Sequence, residues 1–331
     1  SIRRRQRQMC IRDRAYAGEV PWHGLGKKVP SDLSPEQMLK TANLDWEVES
    51  RPLFYKSGDK MIQTKKRAIV RATDNKLMTV VSDEWNPVQN LQAFKFFDDF
   101  VKAGDMQMHT AGSLKGGKVV WAMAKINESF EIFGGDKIDG YLLFSNPHEF
   151  GRSIDVRFTP IRVVCNNTLT FALDSESASS VKVSHRSAFN PDEVKSTLGI
   201  AKEQLDLYKA KAEFLGNKRF KKADLLEYFN NIFPSMSYDE EKRKNIEEKG
   251  LYRVEAISRQ AKECVSSLET QPGAKFKRGS WWHAFNTVTY VTDHKLGRDR
   301  DARLTSAWYG TNSKRKDKAL QDAIELSLIH I

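Results

Sequence analysis

The hydrophobic pattern of this chain changes its period near Pro160, and this change restricts the fold class more than any other sequence feature. Before Pro160, apolar and polar residues alternate in short segments, which is typical of strands with one buried face. Beyond Asn190, apolar residues recur at the spacing of helices. The pattern predicts an α+β protein with a strand-rich first half, mostly antiparallel hairpins with inserted helices, and a mainly helical second half.

Turn residues place the strands and helices of the first half. Alternation covers residues 46–55, and Asp74-Asn75-Lys76 lies between two further strand patterns, which indicates a hairpin. Lys115-Gly116-Gly117 marks a second hairpin turn in the same way. The predicted strands are 67–73, 77–82, 106–111, 119–126, 140–146 and 153–159, and the predicted helices are 34–44, capped by Ser34, and 90–101.

The second half is predicted to contain mainly helices. Pro160 is predicted to begin a helix over residues 161–173, and a short strand follows at 182–185. Asn190 and Pro191 are a typical helix start. Residues 295–310 are polar and basic and are predicted to be a loop, and the remaining helices are predicted at 190–215, 223–232, 238–268, 280–293 and 313–325.

Two terminal segments do not resemble sequence that was selected to fold. Residues 1–14 carry six arginines and no apolar periodicity, and residues 326–331 have a similar character, so both are interpreted as non-native scars. The rest is predicted to form a strand-rich α+β core over 15–189 and a helical region over 190–325. Whether the helical region packs on the same core stays open.

Composition excludes several classes of protein. Hydrophobic residues make up 40% of the chain and aromatic residues 10%, which argues for a globular protein. No apolar run approaches the roughly 20 residues that cross a membrane, and no signal peptide is evident. Outside the first segment only Cys165 and Cys264 remain, too few for a disulfide framework, so the reducing cytoplasm is the expected location.

Positive charge is concentrated between residues 271 and 318. This segment has eleven Lys and Arg against four acids, an excess of seven, whereas residues 15–189 have an excess of one and residues 190–270 have none. It also holds three of the seven tryptophans, Trp281, Trp282 and Trp308. Cations beside aromatic rings are typical of a groove that attracts phosphates and stacks on bases. Stacking is predicted for Trp282, Tyr290 or Trp308.

The predicted nucleic-acid contacts come from this segment and from the residues around Pro160. Trp281, Phe285 and their neighbours at helical spacing are interpreted as a core stripe, with the contact residues on the other side of the same helix. Arg157 and Arg162 are predicted to clamp a phosphate with amide donors from Asn166 and Asn167, and the alternative is that the asparagines cap a helix or satisfy buried strand ends. For the basic residues from Arg298 onward, the alternative to phosphate contact is a solvated loop and helix face. The full set is Arg157, Arg162, Asn166, Asn167, Trp282, His283, Asn286, Tyr290, Arg298, Arg300, Arg303, Trp308, Lys314, Arg315 and Lys316.

A second candidate is the loop Pro21-Trp22-His23-Gly24-Leu25-Gly26. Its glycines allow the backbone to approach another surface closely. The predicted functional residues are Trp22, His23, Gly24 and Gly26. A lone histidine in such a loop more often forms a hydrogen bond to backbone, so both interpretations stay open.

Three motifs in order carry a resemblance to a known family. They are PWHGLG near the start, TPIRVVCNNTL in the middle, and a tryptophan-rich helix of the form W-x-x-x-N-x-V-T-x-x-x-D-H that leads into an arginine-rich loop. The chain resembles the phage- and plasmid-borne proteins called domain of unknown function 932 from about Gly18 to Leu326. The resemblance implies a mobile genetic element in a bacterial host cell and brings no established activity.

The sequence predicts a protein that binds nucleic acid, with single-stranded DNA as the expected ligand, in replication, recombination or annealing. No phosphate-binding Gly-rich loop, dinucleotide fingerprint, zincin histidine pair or Gly-x-Ser-x-Gly elbow occurs, so neither an enzyme nor a metal or other cofactor is expected. One alternative is a metal-dependent nuclease. The other is an interaction factor for a host defence or replication protein. Contacts with phage or host replication proteins, and a homo-oligomer, stay open, and no membrane partner is expected.

Overall fold

The computed structural model describes residues 13–21, 23–164, 167–168, 180–187, 189–190, 192, 201–234 and 257–329. The fold is α+β, as predicted, with its strands concentrated in the first half. The chain divides into two compact units that interleave along the sequence. Unit 1 comprises residues 1–129, 139–160 and 173–205, and unit 2 comprises residues 130–138, 161–172 and 206–331.

A large sheet lies mainly in unit 1. Its strands are β1 (Arg14–Ala17), β2 (Lys27–Val29), β6 (Met106–Leu114), β7 (Val119–Ile132), β8 (Asp136–Pro147), β9 (Ile154–Arg162) and β11 (Ser180–Val183). They lie in the order β9-β8-β7-β6-β1-β2, with β11 paired to β9. β1 and β2 are parallel, whereas β6 with β7 and β9 with β11 are antiparallel. The hairpin predicted around Lys115-Gly116-Gly117 is confirmed.

A second sheet in unit 1 has three antiparallel strands. They are β3 (Val48–Ser57), β4 (Lys60–Arg71) and β5 (Lys76–Ser82), in sequence order. The hairpin predicted around Asn75 is confirmed, and Asn75 adopts the left-handed conformation that asparagine tolerates in turns. Val48, Ile69, Met78 and Val81 form a small core on this sheet.

The helices that the structure describes wholly within unit 1 are short. They are α1 (Pro35–Thr41), α2 (Asn90–Lys95) and α3 (Asp98–Lys102). Ser34 caps α1, since its hydroxyl accepts a hydrogen bond from the Gln37 amide and the Gln37 side chain accepts from Ser34 N. Phe94, Phe96 and Phe97 are buried in the main core of the unit. The single helix predicted over residues 90–101 is divided into α2 and α3, and its phenylalanines lie in the core.

Among its described residues, unit 2 consists mainly of helices. They are α4 (Ala201–Asn217), of which residues 206–217 belong to this unit, α5 (Lys222–Ile232), α6 (Arg259–Ser267), α7 (Trp281–Tyr290), α8 (Arg300–Tyr309) and α9 (Thr311–Ile329), with a π-helical turn at Val291–Lys295 after α7. The two-residue strand β10 (Asn167–Thr168) pairs with the end of β9. The core holds Trp281, Trp282, Phe285, Tyr228 and Phe229.

Two predicted elements are wrong. Pro160 does not begin a helix, because β9 continues through it to Arg162 and β10 follows. The β-branched Thr159, Ile161 and Val163 favour this extended backbone. Residues 295–310 are not a loop, since they contain α8. Its N-cap is Asp299, whose carboxylate accepts a hydrogen bond from the Ala302 amide at 2.8 Å.

Parts of the two terminal segments that were interpreted as scars belong to a strand and a helix of the fold. Arg14 lies in β1 with its side chain buried, and its Nη2 donates to the Ser113 carbonyl oxygen at 2.7 Å. Leu326 packs on the core of unit 2 within α9, which continues to Ile329. Residues 1–12 and 330–331 lie outside the described residues, so a scar there stays a prediction. No helix in the described part of the chain has the length and apolar character needed to cross a membrane.

Candidate nucleic-acid interface

The motif after Pro160 and the tryptophan-rich helix meet in the interior of unit 2. Asn167 Nδ2 donates to Thr289 Oγ1 at 2.9 Å and to the Asn286 carbonyl oxygen at 3.3 Å. His294 Nε2 lies 3.0 Å from Asn167 Oδ1, and because an amide oxygen can only accept, the imidazole is the donor. Asn167 is fully buried, so its amide holds β10 on α7 and cannot contact a ligand from solvent.

Arg162 is held by a carboxylate instead of a phosphate. Its Nε and Nη2 each lie 2.7 Å from one carboxylate oxygen of Asp136, a bidentate ion pair that is almost completely buried. Nη2 also donates to the Gly273 carbonyl oxygen, and Trp282 Nε1 donates to Asp136 Oδ2 at 3.0 Å. The predicted phosphate contact is wrong for Arg162, because its charge is already neutralised inside the protein.

Lys316 forms a second buried ion pair in unit 2. Its Nζ lies 3.0 Å from Asp293 Oδ1, 3.1 Å from the Thr168 carbonyl oxygen and 2.6 Å from Thr168 Oγ1. The other oxygen of Asp293 accepts from the amide and the hydroxyl of Thr168, both at 2.7 Å. All three donors of the ammonium group are used, so the predicted nucleic-acid contact is wrong for Lys316.

The π-helical turn places Asp293 and His294 for these contacts. A π turn inserts an extra residue into the helical register, and such turns often occur at functional sites. In this structure, Asp293 points to Lys316 and His294 points to Asn167. Two motifs far apart in sequence are thereby joined by charged and amide hydrogen bonds.

His283 and Asn286 have structural roles in α7. The Ser280 hydroxyl caps the helix by accepting from the His283 amide. His283 Nδ1 accepts from the Gly279 amide and its Nε2 donates to the Leu268 carbonyl oxygen at 2.7 Å, which assigns the tautomer. Burial lowers the pKa of His283, so the ring is neutral near pH 7. Asn286 Nδ2 donates to the Trp282 carbonyl oxygen. The side chains of His283 and Asn286 are both buried, so the nucleic-acid contacts predicted for them are wrong.

The tryptophans of the basic segment are inside the protein. Trp281 and Trp282 have no exposed surface, and Trp308 is 3% exposed. The prediction that α7 has one core face and one contact face is wrong, because every residue from Trp281 to Thr289 is buried. Stacking of bases on Trp282 or Trp308 is therefore excluded in this structure. Tyr290 is half-buried, with its ring 5.0 Å from that of His294.

Three further arginines have partners within the protein. Arg157 forms an ion pair with Asp155 on β9. Arg303 Nε donates to the Leu296 carbonyl oxygen at 3.0 Å. Arg315 donates to Asn312 Oδ1 at 3.0 Å, its guanidinium lies 5.2 Å from the ring centre of Phe233, and burial lowers its pKa. All three are half-buried, and their nucleic-acid contacts stay a prediction.

The positive excess of residues 271–318 remains outside the core. Lys316 and Asp293 are the only buried charged residues among the described residues of this segment, and they have opposite signs. Ten basic and three acidic residues are then left, so the excess is still seven. Arg298 is the most accessible member of the predicted set, with 90% of its side chain exposed, and Arg300 and Lys314 are also exposed.

The loop that contains His23 packs against other residues of unit 1. His23 is buried, its Nδ1 accepts from the Leu25 amide at 3.1 Å, and its ring packs edge-on against Trp121. Gly24 and Gly26 both have a positive φ, and a Cβ at Gly26 would also lie 3.2 Å from the backbone of Arg14. The close backbone approach is confirmed, but the approached surface belongs to the same unit. Trp22 lies outside the described residues, as does Asn166.

The sequence interpretation missed an exposed β-ribbon in unit 1. We call residues 53–66, the outer part of the β3–β4 hairpin, the arm. β5 pairs with β4 only from Lys66 inward, so most of the arm is two-stranded. The sequence signal for this ribbon was the adjacent pair Phe54 and Tyr55 in a strand. Adjacent side chains of a strand point to opposite faces, so a core on one face of the strand cannot bury both rings.

Comparison with known proteins identifies a family but no function. Among the described residues, no three His, Cys, Asp or Glu side chains are placed to hold a metal ion. No curated protein and no solved structure matches the chain. The sequence model of a family described as Domain of unknown function (DUF932) matches residues 77–317, well over half of the chain. The motifs joined in unit 2 lie within this match, and the chain therefore belongs to the family called domain of unknown function 932.

Proposed function

We propose that this protein binds nucleic acid, with single-stranded DNA as its ligand, during replication, recombination or annealing of a phage or plasmid in the cytoplasm of a bacterial host. One observation carries the proposal. Folding buries one cation and one anion of residues 271–318 and leaves the excess of seven positive charges on residues that are exposed or half-buried. Such an excess attracts a polyanion by releasing its bound counterions.

The mechanism differs from the one that the sequence predicts. The three indole rings of residues 271–318 are buried, so this segment contributes charge and no stacking on tryptophan, and the half-buried Tyr290 is the remaining predicted stacking residue. Arg298, Arg300 and Lys314 supply exposed cations at the start of α8 and α9. Arg298 lies next to Asp299, but an exposed pair of this kind contributes little energy and exchanges readily for a phosphate.

A titration at several salt concentrations tests the proposal. Fluorescence anisotropy of a labelled single-stranded oligonucleotide should report binding that weakens steeply as salt rises. The triple variant Arg298→Gln, Arg300→Gln, Lys314→Gln should lower the magnitude of the log–log salt slope by about 2, at roughly 0.7 per lost phosphate contact.

The matched control neutralises two exposed lysines of the same unit that lie outside the basic segment, Lys221→Gln and Lys222→Gln. For each charge removed, this control should change the log–log salt slope much less than the triple variant does. Absence of binding at low salt would end the proposal, and equal slopes per charge in the two variants would remove residues 271–318 as its basis. Cleavage of the oligonucleotide in Mg²⁺ or Mn²⁺ would favour the nuclease alternative.

A further inference from the structure

The arm exposes large apolar side chains that a hairpin normally buries. The exposed fractions are 47% for Phe54, 53% for Tyr55, 64% for Met61 and 39% for Ile62. A two-stranded ribbon is at best marginally stable in water without a packed face. Exposed apolar groups of this size that cluster on one element mark an interaction site.

The register distributes these side chains over both faces of the arm. Phe54 faces Gln63 and Lys56 faces Met61 across the ribbon, and directly opposed residues share one face. Tyr55 faces Ile62 and Ser57 faces Lys60 on the other face. Each face therefore carries one aromatic ring and at least one lysine.

The charge of the arm identifies the kind of partner. Lys56, Lys60, Lys65 and Lys66 are all exposed, and Asp59 is the single acid, so these residues have an excess of three positive charges. None of the ion pairs found among the described residues involves these lysines. Rings flanked by cations suit a ligand that has both flat apolar faces and negative charge, which describes unpaired bases on a phosphate backbone.

The edge strand β3 is unfavourable for pairing with a second copy of the chain where it enters the arm. β3 carries Pro52, which lacks an amide donor, and the register shifts between Pro52 and Phe54. The shift is held by Thr64, whose hydroxyl donates to the Leu53 carbonyl oxygen and accepts from the Lys66 amide. Proline, lysine and bulges are features that discourage edge-to-edge association of strands.

We propose that the arm is a contact site for single-stranded nucleic acid, in which Phe54 and Tyr55 stack on bases and the lysines hold phosphates. The inference rests on the proposed nucleic-acid binding and adds a second contact to it, in the other unit of the chain. Only a single strand exposes the faces of its bases, so the arm distinguishes single strands from duplexes. The arm also lies outside the residues matched by the family model, so family membership does not predict it.

Two arm variants of the full chain test the proposal by the same anisotropy titration. Phe54→Ala with Tyr55→Ala should weaken binding of a single-stranded thymidine oligonucleotide about 10-fold or more and leave binding of a duplex of equal length nearly unchanged. Lys56→Gln with Lys60→Gln should lower the magnitude of the salt slope by about 1.4.

Matched controls exist in the same unit. Leu77→Ala with Val80→Ala removes apolar groups of similar exposure, 53% and 42%, from β5 of the same sheet. Lys27→Gln with Lys28→Gln removes two exposed lysines of β2. Both controls should bind single strands like the unmodified protein, and circular dichroism should show that all variants are folded.

The outcomes separate this inference from the proposed function. If the unmodified protein does not bind any oligonucleotide at low salt, both proposals fail together. If it binds and the aromatic arm variant binds equally well, the arm has no such role and the proposed function stands. Equal losses for single strand and duplex would refute base stacking, and a change of oligomeric state in light scattering would assign the arm to self-association. If the aromatic arm variant also loses binding of single-stranded RNA while it still binds a duplex, the result would support base stacking.

Discussion

Replacement of Lys316 by methionine should destabilise the protein strongly, although the two side chains have similar lengths. The substitution removes the partner of the buried Asp293 carboxylate and three hydrogen bonds of the ammonium group, at 2.6, 3.0 and 3.1 Å. An uncompensated buried charge costs about 3–5 kcal/mol of unfolding free energy. Because Thr168 still donates two hydrogen bonds to the carboxylate, we expect the lower end, about 3 kcal/mol.

Urea unfolding followed by tryptophan fluorescence measures this effect, since Trp281 and Trp282 are buried in the same unit and report its unfolding. Lys314→Met is the matched control, because Lys314 is exposed two residues earlier on the same helix. The control should change the unfolding free energy by no more than about 0.5 kcal/mol.

A double variant separates charge from shape. Lys316→Met combined with Asp293→Asn leaves no buried charge at this position, so it should be more stable than Lys316→Met alone by about 1–2 kcal/mol. If Lys316→Met lies within about 1 kcal/mol of the unmodified protein, the ammonium group is not needed to neutralise Asp293. The contacts of Lys316 with Asp293 and Thr168 would then contribute little to holding α9 against β10.

Three more predictions concern other parts of the chain. Burial lowers the pKa of His148 from its ordinary value of 6.5 to about 3. Below pH 6.5 the histidine is therefore protonated in the unfolded state but not in the folded state, and the protein loses stability as the pH falls. The loss between pH 7 and pH 5 should be about 2 kcal/mol by denaturant titration, and His148→Gln should remove that share of the pH dependence. Gly216→Ala should destabilise by about 1–3 kcal/mol, against the helix preference of alanine, because the new Cβ would overlap the ring of Phe133; an increase in melting temperature would contradict this overlap. Asp299→Ala should cost about 1 kcal/mol of unfolding free energy, since it removes the cap of α8 that accepts from the Ala302 amide, and an unchanged urea midpoint would show that α8 does not need the cap.

Local patterns were sufficient to predict the short-range structure. The turn at Asn75, the turn at Lys115-Gly116-Gly117 and the cap at Ser34 all appear where the sequence predicts them. The reason is physical, because turns and caps depend on the backbone preferences and short hydrogen bonds of a few adjacent residues. The prediction failed at residues 295–310, where the polar and basic composition was interpreted as a loop although Asp299 caps a helix.

Tertiary structure alone decided which charged and aromatic side chains are accessible. Lys314 and Lys316 look equivalent in the sequence, yet one is exposed and the other is buried against Asp293. The partner of a buried charge can lie anywhere in the chain, as Asp136 does for Arg162, so burial does not follow from local pattern. Local sequence therefore determined the fold class, most elements and the excess of positive charge in residues 271–318. Only the packed chain determined that the indole rings are buried and that the rings of the arm are exposed, because accessibility depends on every element that packs around a side chain.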